Sequence, residues 1–173
     1  KLIILPSEEY PKRSRAQTPA SPTALKFTEH LLKLTEKYRP QLVLDFHEDE
    51  STSSLYIYSQ GRLGAYDPIA REIVTMLIRE GFNVRKHGKT RFGEKIIGGV
   101  ASNVSDSSID ELLASKKIIV NKKVEKGPNA RSVIVVETPT QNIPLKKRVD
   151  IQAEIMLHSR RYYEMSRRIN KLY

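Results

Sequence analysis

A chain of 173 residues with 39% hydrophobic content can bury one substantial core, and no apolar run in it approaches the roughly 20 residues needed to cross a bilayer. Cysteine is absent, which excludes disulfides and thiolate metal ligation and leaves His and carboxylates to hold any metal. The formal charge is +10, yet the acidic residues gather just after His47, at Glu48, Asp49 and Glu50, as a negative spot in a basic protein.

Residues 2–5 read as a first strand, too short for a secretory h-region, and the expectation is a soluble, cytoplasmic protein. The first residue is Lys1 rather than Met, which fits a start after a segment that is processed or absent here. Ser21-Pro22 opens a helix with a capping hydroxyl and a Pro at the first helical position. Ala24, Phe27, Leu31, Leu34 and Tyr38 follow at spacings of three and four and predict its inward face, with Pro40 as the stop. Residues 42–46 then read as a buried strand running into His47, and 55–59 as a second strand before Gln60-Gly61.

Asp67-Pro68 opens another helix, with Ile69, Ile73, Met76 and Leu77 inward and Gly81 at its end. An edge strand is expected at 82–85, a long Gly/Ser/Lys-rich loop over 86–108, a short helix over 109–116 and a short strand over 117–120. Residues 132–136 are the clearest buried strand and end at Glu137-Thr138-Pro139. The stretch 144–172 reads as one long helix with Val149, Ala153, Met156 and Tyr163 as its inner stripe. Strands alternating with helices predict a single three-layer α/β/α domain over 1–173, with a mostly parallel or mixed sheet.

In open α/β sheets, ligands bind beyond the carboxyl ends of the strands. Two apolar strands here end in residues with chemistry: one in His47-Glu48-Asp49, the other in Glu137. If they are parallel neighbours, His47 and Glu137 open on the same edge. A neutral imidazole ligates a divalent ion while its other ring nitrogen donates to a fixing carboxylate. A desolvated carboxylate beside an activated water is the usual build of a general base.

The segment Leu44-Asp45-Phe46-His47-Glu48-Asp49 followed by Leu55-Tyr56-Ile57-Tyr58 resembles the "D-hydrophobic-H-E-D … Y-x-Y" stretch of the zinc carboxypeptidase superfamily, including its deacylase-like branches. Val133 to Val136 with Glu137-Thr138-Pro139 resembles that family's later strand and its closing glutamate. The resemblance implies a zinc-carboxypeptidase-like fold and a zinc-dependent hydrolase of peptides or acyl-amino acids. His47 would be the last zinc ligand and Glu137 the catalytic base. It further implies that Asp45, Glu48 and Asp49 bind or surround the metal, that Tyr58 lines the substrate pocket, and that a cation grips a substrate carboxylate. Arg15 and Arg148 are candidates for that cation by residue type, and His87 is a further candidate substrate contact.

The family's first two zinc ligands lie in an upstream H-x-x-E motif, and this sequence contains none. Three readings follow: a C-terminal portion of a longer catalytic domain, a degenerate homologue that has lost the metal, or a different ligand set such as His47 with Asp49 and His87. The degenerate homologue would be a binding module whose basic loop, with Lys86, Lys89, Arg91, Lys95 and Gly88, Gly93, Gly98 and Gly99, wraps an anionic partner. No motif for specific nucleic-acid recognition is present, and zinc remains the expected cofactor.

Overall fold

The computed structural model describes residues 2–4, 21–61, 63–102, 104, 108–120 and 123–169. Its elements in chain order are β1 (Leu2–Ile4), α1 (Pro22–Tyr38), β2 (Leu42–Asp49), β3 (Tyr56–Ser59), α2 (Pro68–Arg79), β4 (His87–Lys89), β5 (Lys95–Ile97), β6 (Val100–Ser102), α3 (Ile109–Ala114), β7 (Lys117–Val120), β8 (Lys123–Lys126), β9 (Ser132–Pro139), α4 (Leu145–Leu157) and α5 (Ser159–Ile169). Six strands form one mixed sheet in the order β2-β9-β3-β6-β5-β4, and β1, β7 and β8 form a smaller antiparallel sheet.

The expected three-layer α/β/α architecture is present. Ile134 and Val136 of β9, with Leu55 and Ile57, pack against Ile69, Ile73 and Leu77 of α2 and against Ile151, Ile155 and Tyr162 of α4 and α5. The opposite face carries Val133 against Leu113 of α3 and Leu31 of α1. Fully burying each such aliphatic side chain contributes about 1.5–3 kcal/mol, so these two layers dominate the stability of the fold. No helix among the described residues is long and apolar enough to cross a membrane.

The helix starts follow their local chemistry. Ser21 caps α1 by accepting from the Ala24 amide at 3.1 Å, and Arg39 ends it in the left-handed region at φ 41°. Which face each helix buries departs from expectation. On α1, Leu31 turns inward as expected, joined by Leu32 and Thr35, whereas Phe27, Leu34 and Tyr38 are exposed. The expected long C-terminal helix breaks at His158 into α4 and α5 over the described residues, which lets α4 pack on β9 while α5 reaches α2 and β2. Its expected inner stripe of Val149, Ala153, Met156 and Tyr163 is exposed, and Ile151, Ile155, Tyr162, Ser166 and Ile169 are buried. Both helices carry apolar residues around more than one face, so periodicity alone could not select the one that meets the sheet.

The segment expected as a loop over 86–108 carries β4, β5 and β6. Gly98 and Gly99, at φ 60° and 88°, form the two-residue turn between β5 and β6, where Ile97 pairs with Val100. Two consecutive positive φ values are what a tight hairpin of matching twist requires, and Gly-Gly supplies them without steric cost. These glycines therefore shape a hairpin turn. The edge strand expected at 82–85 reduces to one parallel bridge, Leu55 with Val84.

Asp67 caps α2, its Oδ1 accepting from the Ile69 amide at 2.8 Å, while its Oδ2 is buried without a hydrogen-bond partner among the described residues. Burial holds this carboxyl above the usual carboxylate range, although Ser132, the Ile69 and Ala70 amides and Arg131 act in the opposite direction. A carboxyl raised on folding binds its proton more tightly in the native state than in the unfolded chain. Its contribution is therefore fully present below the unfolded value of about 3.9 and is lost as pH rises through the folded one. Asn caps a helix as well as Asp does and carries no charge to bury. Urea unfolding of Asp67→Asn beside the parent is expected to show the variant gaining relative stability from about pH 4 to about pH 7. A constant difference across that range would contradict this account.

Candidate active site

β2 and β9 run parallel in register from Leu42 with Ser132 to Asp49 with Pro139, which sets His47 directly beside Glu137. On the other side of β9, β3 runs antiparallel and sets Tyr56 beside Glu137 and Tyr58 beside Val135. Because side chains alternate across a sheet, Asp45, His47, Asp49, Glu137, Tyr56 and Tyr58 all share one face. Lower on that face, Val43 and Val133 are covered by α1 and α3. Toward the carboxyl ends the surface turns polar.

His47 lies within strand β2, which continues to Asp49. Its side chain is 47% exposed; Nε2 lies 3.3 Å from Asp45 Oδ2, and Nδ1 lies 3.9 Å from Glu137 Oε1. The hydrogen bond to Asp45 raises its pKa to about 9, burial opposes this, and the charges of Asp45, Asp110 and Glu137 add to the rise. Asp45 is correspondingly held low, chiefly by His47. Glu137 is nearly covered, at 13% side-chain exposure. Burial raises its pKa and Asp49 and Asp45 add to that, whereas His47 and Arg91 pull it down.

Asp110, in the first turn of α3, joins this group: Asp45, His47 and Asp110 each offer a ligand atom, all within 4.8 Å of one another. One imidazole with two carboxylates is a donor set that suits a divalent ion. Nothing in the sequence singled out Asp110, since an acid in a helix's first turn ordinarily serves the helix dipole.

Asp49 is not part of a solvated turn. It is buried, with Oδ1 accepting from the Ser51 amide at 2.8 Å and Ser51 Oγ at 2.6 Å, and Oδ2 accepting from Tyr56 Oη at 2.7 Å. Burial alone would raise its pKa, but these donors and Arg91 outweigh it and hold the carboxyl low. Tyr56, fully buried and edge-on to Tyr58 with ring centroids 5.5 Å apart, is a site residue that the Y-x-Y pattern contained but did not single out.

The remaining candidates separate. Tyr58 is buried, and its hydroxyl donates to Glu94 Oε2 at 3.4 Å, so it supports the site from below instead of lining an open pocket. Glu48 points to the opposite face and pairs with Arg148, so neither residue turns toward His47. His87 lies on β4, at the far edge of the sheet from β2, which rules out a ligand set of His47, Asp49 and His87. Arg15 lies outside the described residues. The cation that the fold brings here is Arg91, from the turn between β4 and β5, with Nη1 3.9 Å from Asp49 Oδ1.

No protein-family profile matches the chain, and no curated protein matches it. Solved structures do. A candidate metallopeptidase from Shewanella baltica superposes with a TM-score of 0.62 at 20% identity, covering 80% of this chain and 46% of that one. Candidate metallopeptidases from Shewanella amazonensis (TM-score 0.60, 24% identity, 79% of this chain and 45% of that one) and Shewanella denitrificans (TM-score 0.64, 20% identity, 83% and 49%) are similar in the same way. The chain shares their fold and spans about half the length of each.

The Tyr56–Asp49 hydrogen bond is a buried bond to a charged group, of a kind that contributes about 1.5–3 kcal/mol. Tyr56→Phe is therefore expected to lose roughly that much stability in urea unfolding at neutral pH, with most of the loss absent when Asp49 is already Asn. Equal losses in both backgrounds would show that the ring's packing, not the bond, had been disturbed.

Proposed function

We propose that this chain carries part of the active site of a zinc-dependent hydrolase of amide bonds, carboxypeptidase-like or deacylase-like, acting on peptides or acyl-amino acids. The observation that carries the reading is the register of β2 on β9, which sets a half-exposed imidazole and a nearly buried carboxylate side by side on one face. The likeness to candidate metallopeptidases adds support at the level of the fold.

His47 would hold the ion through Nδ1, on the side of the ring facing Glu137, while Asp45 accepts from Nε2 and fixes the ring. Asp110 would secure Asp45 from α3. A bound zinc ion supplies Lewis-acid polarisation of the scissile carbonyl and of a water. Glu137 would accept a proton from the attacking water and deliver it to the departing amine nitrogen. Its environment suits that exchange, because burial disfavours the charged form while His47 and Arg91 keep it accessible. The family's H-x-x-E ligands are absent from this sequence, so His47 would be one ligand of a set completed by other groups. A second reading, favoured by the clustering of their ligand atoms, has Asp45, His47 and Asp110 as the ligands themselves.

Metal analysis of the purified protein is expected to find about one zinc per chain, lost in His47→Ala. Glu137→Gln should retain zinc and lower amide hydrolysis about 10²–10⁴-fold, the range of a general base. Asp110→Asn should weaken zinc binding about 10–100-fold if it acts on a ligand's partner, and abolish binding if it is itself a ligand. A Glu137→Gln variant as active as the parent would end this reading, and a chain that takes up no zinc would end the one in which Asp45, His47 and Asp110 are the ligands themselves.

A further inference from the structure

We propose that the open edge of β2, with the apolar helix flanks on either side of it, is the docking surface of an acidic polypeptide that adds a strand to the large sheet. This docking does not depend on the hydrolase reading above.

Among the described residues β2 pairs only with β9, so the main-chain groups on its other side meet no strand from Leu42 to Asp49. That edge is eight residues long and contains neither Pro nor Lys, the residues that natural edge strands use to discourage pairing.

Helices on both faces of the sheet turn apolar flanks to this side. On α1, Leu31 packs beside Val43 and Val133, while Leu32 and Thr35 on one flank line a cavity with Ile118 of the small sheet. Phe27, Leu34 and Tyr38 lie by helical spacing on the other flank and are exposed. On α4 and α5, Ile151, Ile155 and Tyr162 face the core. Lys147 and Arg161 reach toward α2, the first over the Phe82 ring and the second to Glu72. Leu145, Val149, Met156 and Tyr163 lie on the flank away from α2 and are exposed. Because α2 packs on β3, toward the interior of the sheet, and α5 packs on β2, that flank projects past β2. A strand laid along β2 is therefore covered from both sides.

The charges bordering these flanks set the chemistry of the occupant. Lys26 and Lys37 border the stripe on α1, whereas Glu29 and Glu36 lie on the opposite side of that helix, facing the cavity. Lys146, Arg160 and Arg167 border the stripe on α4 and α5. A second copy docked across a twofold axis would set these cations against their own counterparts, which weakens an interface. Acidic residues beside an apolar strand complement them. Main-chain hydrogen bonds then supply affinity, and alternate side chains supply specificity.

The probe is a synthetic labelled peptide with an alternating Val/Thr run as long as β2 and Glu pairs at both ends, its binding to the full chain read by fluorescence anisotropy at low salt. Replacing the Glu pairs with Lys, or placing adjacent Pro residues at the centre of the run, should weaken binding about tenfold or more. Leu34→Glu and Val149→Glu, both at exposed positions, should each weaken binding of the acidic peptide about tenfold. Val124→Glu, at an exposed apolar position on β8, should leave it unchanged. Saturating peptide should slow amide hydrogen exchange over residues 42–49. Absence of binding, equal weakening by Val124→Glu, or unaltered exchange in β2 overturns the proposal. A concentration-dependent dimer in sedimentation velocity, with the β2 amides protected in the absence of peptide, assigns the edge to a second copy and overturns it as well.

Discussion

The in-register parallel pairing of β2 with β9 is the constraint on which the site depends. Side chains alternate with a period of two, so a slip of one residue would send His47 to the face opposite Glu137. The register is held from below by apolar matching: Leu44 pairs with Ile134 and Phe46 with Val136 on the face covered by α2, α4 and α5, and Val43 pairs with Val133 on the other. The same alternation that builds the core therefore aims the polar residues. His47 and Glu137 meet because this register pairs the apolar residues between them and the strand origins face by face.

Three carboxylates share this face, and each is accommodated differently. Asp49 is satisfied by three donors and stays ionised in spite of burial. Asp45 is held low by His47. Glu137 has no comparable set of donors among the described residues, and burial together with its acidic neighbours pushes its pKa upward. Environments that separate the titration of neighbouring acids are how one site assigns different roles to chemically similar groups. The buried Tyr56–Asp49 pair forms the floor of the arrangement, and the turn from β4 to β5 adds a guanidinium whose charge reaches both Asp49 and Glu137.

The helical layers are less evenly used than the sheet. α1 and the α4–α5 pair each bury one apolar face and leave another exposed: Phe27, Leu34 and Tyr38 on the first, Leu145, Val149, Met156 and Tyr163 on the second. Among the described residues β2 is an edge strand of the large sheet, with Leu42, Leu44 and Phe46 on one face and Asp45, His47 and Asp49 on the other.

The local elements were legible in the sequence wherever a short-range rule decides them. Ser21-Pro22 and Asp67-Pro68 cap helices because a side-chain oxygen reaches an amide two or three residues on. The strands that carry His47 and Glu137 declare themselves by continuous apolar runs that lead into these two residues. Gly98-Gly99 was a hairpin signal of the same local kind, concealed by the basic, glycine-rich composition around it. Where several apolar faces compete, as on α1 and α4–α5, the choice belongs to the sheet. The contacts of Asp110 and Arg91 with this site likewise join residues far apart in the chain, and no pattern around either of them specifies its partner. The sequence alone thus determined which residues carry chemistry and which strands present them, because those depend on neighbours along the chain. Only the tertiary structure decided which carboxylates, hydroxyls and cations surround His47 and Glu137, because that depends on register, sheet order and the packing of helices from elsewhere in the chain.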